Sequence, residues 1–142
     1  MAGKAKTRAF LDSNVIFSGL YSGKGPPGAV LEQAVEGRFS MVTSRQVLDE
    51  VVRTISGKLP GALSSLQTLL LNMPLEVCED PDPSVVEAWS KIVGADDAPI
   101  AAAASIAEVD FLVSGDSHFL KAMAAAEKRG LRIVSPSEFL AS

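Results

Sequence analysis

The 142-residue chain is 47% hydrophobic and 21% charged, the balance of an ordinary globular domain that can bury a core without covalent staples. Its 13 basic and 17 acidic residues leave a net charge of -4, which excludes nucleic-acid binding by bulk charge and leaves that work to local basic patches. A lone cysteine, Cys78, excludes an internal disulfide and a multi-cysteine metal centre.

The basic start (Lys4, Lys6, Arg8) is not followed by the apolar run of a signal peptide. Arg8 to Leu11 is a short strand ending in Asp12, and Ser13 to Leu20 a short helix. The glycines and prolines of Tyr21 to Gly28 (YSGKGPPG) predict a loop. Ala29 to Glu36 reads as a helix stopped by Gly37, and Phe39 to Val42 as the second strand. Ser44 to Ile55 reads as a helix capped by Thr43 or Ser44 and followed by Gly57. Leu63 to Asn72 is a further helix. Leu75 to Cys78 is a third strand, whose apolar neighbours predict a buried thiol at Cys78. Pro83 to Val93 opens with proline at the favoured first helical position. Asp97 to Glu108 is an alanine-rich helix; the run Ala98 to Ala107 is too short to cross a bilayer, so a soluble, cytoplasmic protein with no membrane partner is expected. Phe111 to Ser114 is a strand, Ser117 to Arg129 a helix stopped by Gly130, Leu131 to Val134 the last strand, and Pro136 to Leu140 a terminal helical turn.

No repeat or linker divides the chain, so one domain over residues 1–142, with its core at about 8–140, is expected. Strands alternating with helices predict a parallel sheet with helices on both faces. In such sheets the working crevice lies beyond the carboxyl ends of the strands. Four carboxylates fall there: Asp12 and Asp116 after strands, Asp97 at the head of the alanine-rich helix, and Glu50 early in the helix from Ser44. Each has a plain structural reading. Asp12, Asp97 and Asp116 could be helix caps, and Glu50 a solvated partner of Arg53. Together they make a different object, since clustered carboxylates repel one another unless a cation sits among them. Periodicity does not choose between Asp49 and Glu50, which flank the stripe of Val47, Leu48, Val51, Val52 and Ile55, nor between Asp96 and Asp97.

Four segments then resemble one family in order and spacing. FLDSNVIFSGL (Phe10 to Leu20), VLDEVVRTI (Val47 to Ile55), DDAPIAAAA (Asp96 to Ala104) and FLVSGDSHFL (Phe111 to Leu120) are similar to the four motifs of PIN domains. The resemblance runs from about Arg8 to Leu140. It implies a three-layer α/β/α sandwich around a parallel sheet, often as a homodimer. It also implies an acidic catalytic site of Asp12, Glu50, Asp97 and Asp116, favouring Glu50 over Asp49 and Asp97 over Asp96. Asn14 and Ser114 match supporting polar positions; Ser114 stands where threonine is more usual. The GPPG loop resembles the bacterial subgroup of toxin components of toxin–antitoxin systems, which implies an antitoxin partner and an RNA substrate.

Oxygen ligands favour Mg²⁺ or Mn²⁺. Asp12 and Asp116 are expected as direct ligands, Asp97 as a ligand or a holder of bound water, and Glu50 as orienting the attacking water or holding a second ion. Candidate phosphate contacts are Lys24, Arg45, Arg53 and Lys121. His118, the one histidine, reads as a partly exposed residue in the first turn of its helix, since a histidine-pair ribonuclease needs a second imidazole. Tyr21 is a candidate for base stacking, whereas Trp89 sits among core-type residues. A haloacid-dehalogenase-type phosphotransferase wants a second aspartate where Asn14 stands, and a receiver domain wants an acidic pair after the first strand. A non-catalytic PIN-like scaffold binding RNA or protein is the alternative from a different class.

Overall fold

A computed structural model of the chain describes residues 6–142; Lys4 of the basic start lies outside them. Five parallel strands form one sheet: β1 (Arg8–Leu11), β2 (Ser40–Ser44), β3 (Leu75–Cys78), β4 (Phe111–Val113) and β5 (Ile133–Val134), in the order β3-β2-β1-β4-β5. The pairings Phe10↔Val42, Phe10↔Leu112, Val42↔Glu76 and Val113↔Val134 set the register. The strand order reverses direction at β1, so the gap between the carboxyl ends of β1 and β4 is the topological switch point, where open α/β sheets form their crevice.

The composition of each strand explains its place. Ala9, Phe10 and Leu11 are wholly buried, as are Leu112 and Val113, matching central parallel strands covered on both faces. The strand β3 is an edge: Glu76 and Val77 are exposed and Cys78 is half-buried. The expectation of a buried thiol is therefore corrected. Burial and the charge of Glu76 still push the Cys78 thiol up.

The helices are α1 (Ser13–Tyr21), α2 (Pro26–Val35), α3 (Arg45–Lys58), α4 (Leu63–Leu71), α5 (Pro83–Val93), α6 (Ala98–Ile106), α7 (Ser117–Lys121), α8 (Met123–Glu127) and α9 (Pro136–Ala141), with a 3₁₀ turn at Pro60–Ala62. They fall into two packed groups. In one, α1 packs on α2 and α3, and α2 on α9; in the other, α5 packs on α6 and α8. The buried alanines of α6 (Ala98, Ala101 to Ala104) give it a face without bulk for close packing. No helix among the described residues is long and apolar enough to cross a membrane.

Three expectations change. Pro26, Pro27 and Gly28 begin α2 rather than ending a loop, because proline is pre-organised for the first helical turn. Gly57 lies inside α3, which runs on to Lys58. The helix expected over Ser117 to Arg129 breaks at Ala122 (φ -92°, ψ 4°) into α7 and α8, and nothing in that stretch of sequence marks the break.

At the amino end of β1, Arg8 joins three segments. Its guanidinium donates to Glu76 Oε2 at 2.6 Å and to the Ala107 carbonyl at 2.6 Å, and its backbone N–H donates to Asp110 Oδ2 at 2.8 Å. A cation there complements the free carbonyls at the end of α6.

Candidate active site

Asp12 leaves the end of β1 and turns into α1 with an extended backbone (φ -74°, ψ 161°), the conformation of an N-cap. Its Oδ1 accepts from the Ser13 N–H at 2.8 Å. Its Oδ2 accepts from the Ser114 hydroxyl at 2.9 Å and from Asn14 Nδ2 at 3.1 Å. Ser114 leaves the end of β4, and its Oγ also accepts from the Asp116 N–H at 3.1 Å. Asn14 completes the ring, its Oδ1 accepting from the Gly115 N–H at 2.9 Å. That bond fixes which end of the Asn14 amide faces Asp12. The two positions expected to support the site thus lace β1 to β4 across the switch point. Thr43 was missed as a support: its buried hydroxyl donates to the Leu11 carbonyl at 3.1 Å and ties β2 to the end of β1. A hydroxyl directly after the apolar pair Met41-Val42, at the carboxyl end of the strand, is the signal that marked it.

This carboxylate is 6% exposed. Burial raises its pKa from an ordinary 3.8 to about 6; the bonds from Ser13 and Ser114 oppose the rise, and the charges of Glu50 and Asp97 add to it. Glu50 projects from an exposed position on α3, while Asp49, also exposed, lines a groove with Arg45, Gln46, Arg53 and Asp80. The two neighbours therefore serve different surroundings. No Glu50–Arg53 ion pair forms among the described residues. Val52 is 43% exposed, so the buried stripe is narrower than expected and comprises Val47, Val51 and Ile55.

Asp97 occupies the N-cap position of α6 without capping it. Its backbone is helical (φ -94°, ψ -12°) rather than extended, and Pro99, the second residue of the helix, has no N–H to offer. The expectation of an ordinary helix cap fails here and leaves a half-buried carboxylate with no hydrogen-bond partner among the described residues. Burial raises its pKa, followed by the charge of Asp116; Asp96 and Glu50 add to the rise and His118 opposes it. Asp116 is a true cap of α7, accepting from the His118 N–H at 2.8 Å.

The four carboxylates therefore act on one another across the crevice. Among the described residues, however, no three Asp, Glu, His or Cys side chains converge as a preformed ligand set. Asp12, Asp97 and Asp116 are electrostatic neighbours rather than a closed cage.

Arg45 and Arg53 line the groove on the β2 side, and Lys24 and Lys121 are exposed. Tyr21 is exposed and stacks on Phe17 with ring centroids 6.1 Å apart, Trp89 is buried in the core, and His118 is exposed.

A profile of the PIN domain matches residues 8–118, a span that holds all four carboxylates. The chain belongs to the PIN domain family. Solved structures share this PIN-type fold. VapBC2 from Rickettsia felis, bound to a DNA fragment from its promoter, matches with a TM-score of 0.66 at 18% identity over 91% of this chain and 98% of that one. PAE2754 from Pyrobaculum aerophilum matches at 0.66 and 18% over 95% and 88%. FitAcB from Neisseria gonorrhoeae matches at 0.61 and 19% over 90% and 97%. At these identities the likeness is one of fold. No curated protein matches the chain.

Proposed function

We propose that this PIN domain is a Mg²⁺- or Mn²⁺-dependent endoribonuclease and the toxin of a toxin–antitoxin pair, with Asp12, Glu50, Asp97 and Asp116 as its catalytic carboxylates. One observation carries the reading. Negative charge is concentrated at the switch point, where Asp12 is buried, Asp97 caps nothing and has no hydrogen-bond partner among the described residues, and each feels other acids of the set.

The donor set fits a hard divalent cation. It is all oxygen, no ion pair neutralises it among the described residues, and its repulsion is the kind an ion relieves. Mg²⁺ keeps several waters and binds through one or two carboxylates, so the absence of a closed cage is compatible with it. Asp12, Asp97 and Asp116 would hold the ion or its waters. When bound, it would acidify a water and offset charge on the phosphate.

The protein's own groups supply the rest. Ser13, Asn14 and Ser114 hold the Asp12 carboxylate in one orientation, pre-organised before substrate arrives. Glu50, exposed at the rim, orients the attacking water and takes its proton. Arg45 and Arg53 draw in the RNA backbone on one side, with Lys24 and Lys121 as outlying phosphate contacts. Attack by water in line with the leaving oxygen gives a 5′-phosphate and a 3′-hydroxyl.

The toxin assignment rests on the GPPG resemblance and on the fold shared with VapBC2 and FitAcB. An antitoxin covering the crevice with an arginine would be matched in charge. A homodimer in the cytoplasm belongs to the same reading.

The deciding experiment is cleavage of a mixed RNA by the purified chain with Mn²⁺, with EDTA, and with Asp12→Asn. Cleavage should need the ion and fall at least a hundredfold in the variant, the scale of losing a pre-organised electrostatic group. Cleavage indifferent to both would reject the reading.

A further inference from the structure

Beside the carboxylates the switch point opens into a cleft that shares Asn14 and Asp116 with the site above and adds residues to which that chemistry gives no part. It has a volume of about 340 Å³ and is lined by Asn14, Val15, Ser18, Pro27, Gly115, Asp116 and Pro136. That volume lies at the small end of ligand clefts. Its walls come from four places: α1, the first turn of α2, the β4–α7 turn and the head of α9.

Its polarity is uneven. Pro27, partly exposed, gives an apolar wall, and Pro136 and Val15 lie buried behind the surface as its floor. Asn14 and the Gly115 N–H are already bonded to each other. Ser18 Oγ makes no hydrogen bond among the described residues and stays available to a ligand. Among the described residues no Lys or Arg lines the cleft, and the carboxylate-bearing Asp116 does. A phosphate is therefore the wrong occupant. A flat, uncharged ring with polar edges is the right one, held between apolar side chains and read at its rim.

The wall is also stiff. Gly25 (φ 89°) turns the chain into α2, two prolines follow, and a Cβ on Gly28 would stand 2.6 Å from the Gly23 carbonyl oxygen. The GPPG segment, otherwise without a role, holds Pro27 against the crevice. Arg45 and Arg53 lie on the β2 side of the carboxylates and this cleft on the β5 side. A strand crossing the site thus meets cations on one flank and an apolar slot on the other.

We infer that this cleft is a nucleobase subsite, taking one unstacked base of a single-stranded RNA next to the scissile phosphate, with Pro27 as its apolar wall, the buried Pro136 and Val15 as its floor and Ser18 at its edge. The inference rests on the ribonuclease reading for its substrate, but its test has an arm that does not.

The first arm titrates the ¹⁵N-labelled chain with the four ribonucleosides, and with ribose, in EDTA. At least one nucleoside should shift the amides of Val15, Ser18 and Gly115, ribose should not, and Ser18→Trp, which fills the cleft from an exposed helix position, should abolish the shifts. Ser18→Ala, with no change in bulk, should weaken them about threefold and guards against misfolding of the tryptophan variant. Shifts absent for every nucleoside, or equal with ribose, overturn the subsite. The second arm measures Mn²⁺-dependent cleavage of an oligoribonucleotide carrying an abasic residue at each position in turn. One position flanking the cut should raise KM at least tenfold with kcat little changed, and Ser18→Trp should erase that difference. Nucleoside shifts without cleavage keep the cleft and reject the ribonuclease; cleavage without nucleoside shifts, and blind to abasic residues, does the reverse.

Discussion

Asp12 sets the electrostatics of the molecule. Between pH 3.8 and about 6 the folded chain keeps a proton on Asp12 that the unfolded chain has released. Without metal, stability therefore falls as pH rises through that window and levels off above it, by up to about 3 kcal/mol. Asp97, also raised, adds to the same slope. Asp82 and Glu138 are shifted the other way, so what they contribute is lost on the acid side, as pH falls through their lowered values. Urea unfolding in EDTA at pH 4, 5, 6 and 7 should show the decline, and Asp12→Asn should flatten it. It should also leave the variant about 1–2 kcal/mol more stable than the parent at pH 7, the relief of charge exceeding the cost of replacing one acceptor oxygen with an amide donor beside Ser13, Asn14 and Ser114. A parent and variant with the same slope would mean that Asp12 is not the titrating group.

At the scale of elements, the close contact of Gly28 with Gly23 decides where α2 begins. A Cβ on Gly28 meets backbone atoms at 2.6 and 2.7 Å, whereas one on Gly23 meets nothing within 4 Å. Gly28→Ala should therefore cost about 1–3 kcal/mol by overpacking, and Gly23→Ala close to nothing, as read by thermal denaturation. Equal effects would show that the contact is relaxed in solution. The sequence could not foretell this, since glycine beside proline signals a turn and a tight helix start alike. Caps and strands were more legible. The apolar run of β1 and the proline that opens α5 carry their own local chemistry, and of the two cap candidates Thr43 and Ser44 it is Ser44 that accepts from the Val47 N–H. Asp49 and Glu50 were not separable because the exposure of Val52 is a tertiary fact; with Val52 removed from the stripe, its centre moves toward Glu50. Asp97 looked like a cap because its residue type suits one, and its helical backbone and the missing N–H of Pro99 show only in three dimensions.

For the whole molecule, strand alternation made the parallel sheet legible, but the order β3-β2-β1-β4-β5 depends on packing between distant segments. That order sets the ends of β1 and β4, and so Asp12 and Asp116, side by side, with Asp97 near enough to feel the charge of Asp116 and to act on Asp12, so the charges depend on the whole fold. An ion that binds the folded chain alone must then stabilise all of it. At 100 times its Kd, Mn²⁺ should add about 2.7 kcal/mol, raising Tm by about 5–10 °C for a chain of this size. The gain should be larger at pH 7 than at pH 5, where protons compete for the raised carboxylates. Asp97→Asn should reduce the shift and Asp12→Asn reduce it further, while Asp49→Asn, which changes the charge on the neighbouring groove, should leave it intact. Differential scanning fluorimetry separates the cases. A Tm indifferent to Mn²⁺, or a shift lost equally in Asp49→Asn, would mean that the acids of the crevice repel one another with no ion to hold them, and the chemistry assigned to Asp12 would have to be sought elsewhere on the sheet.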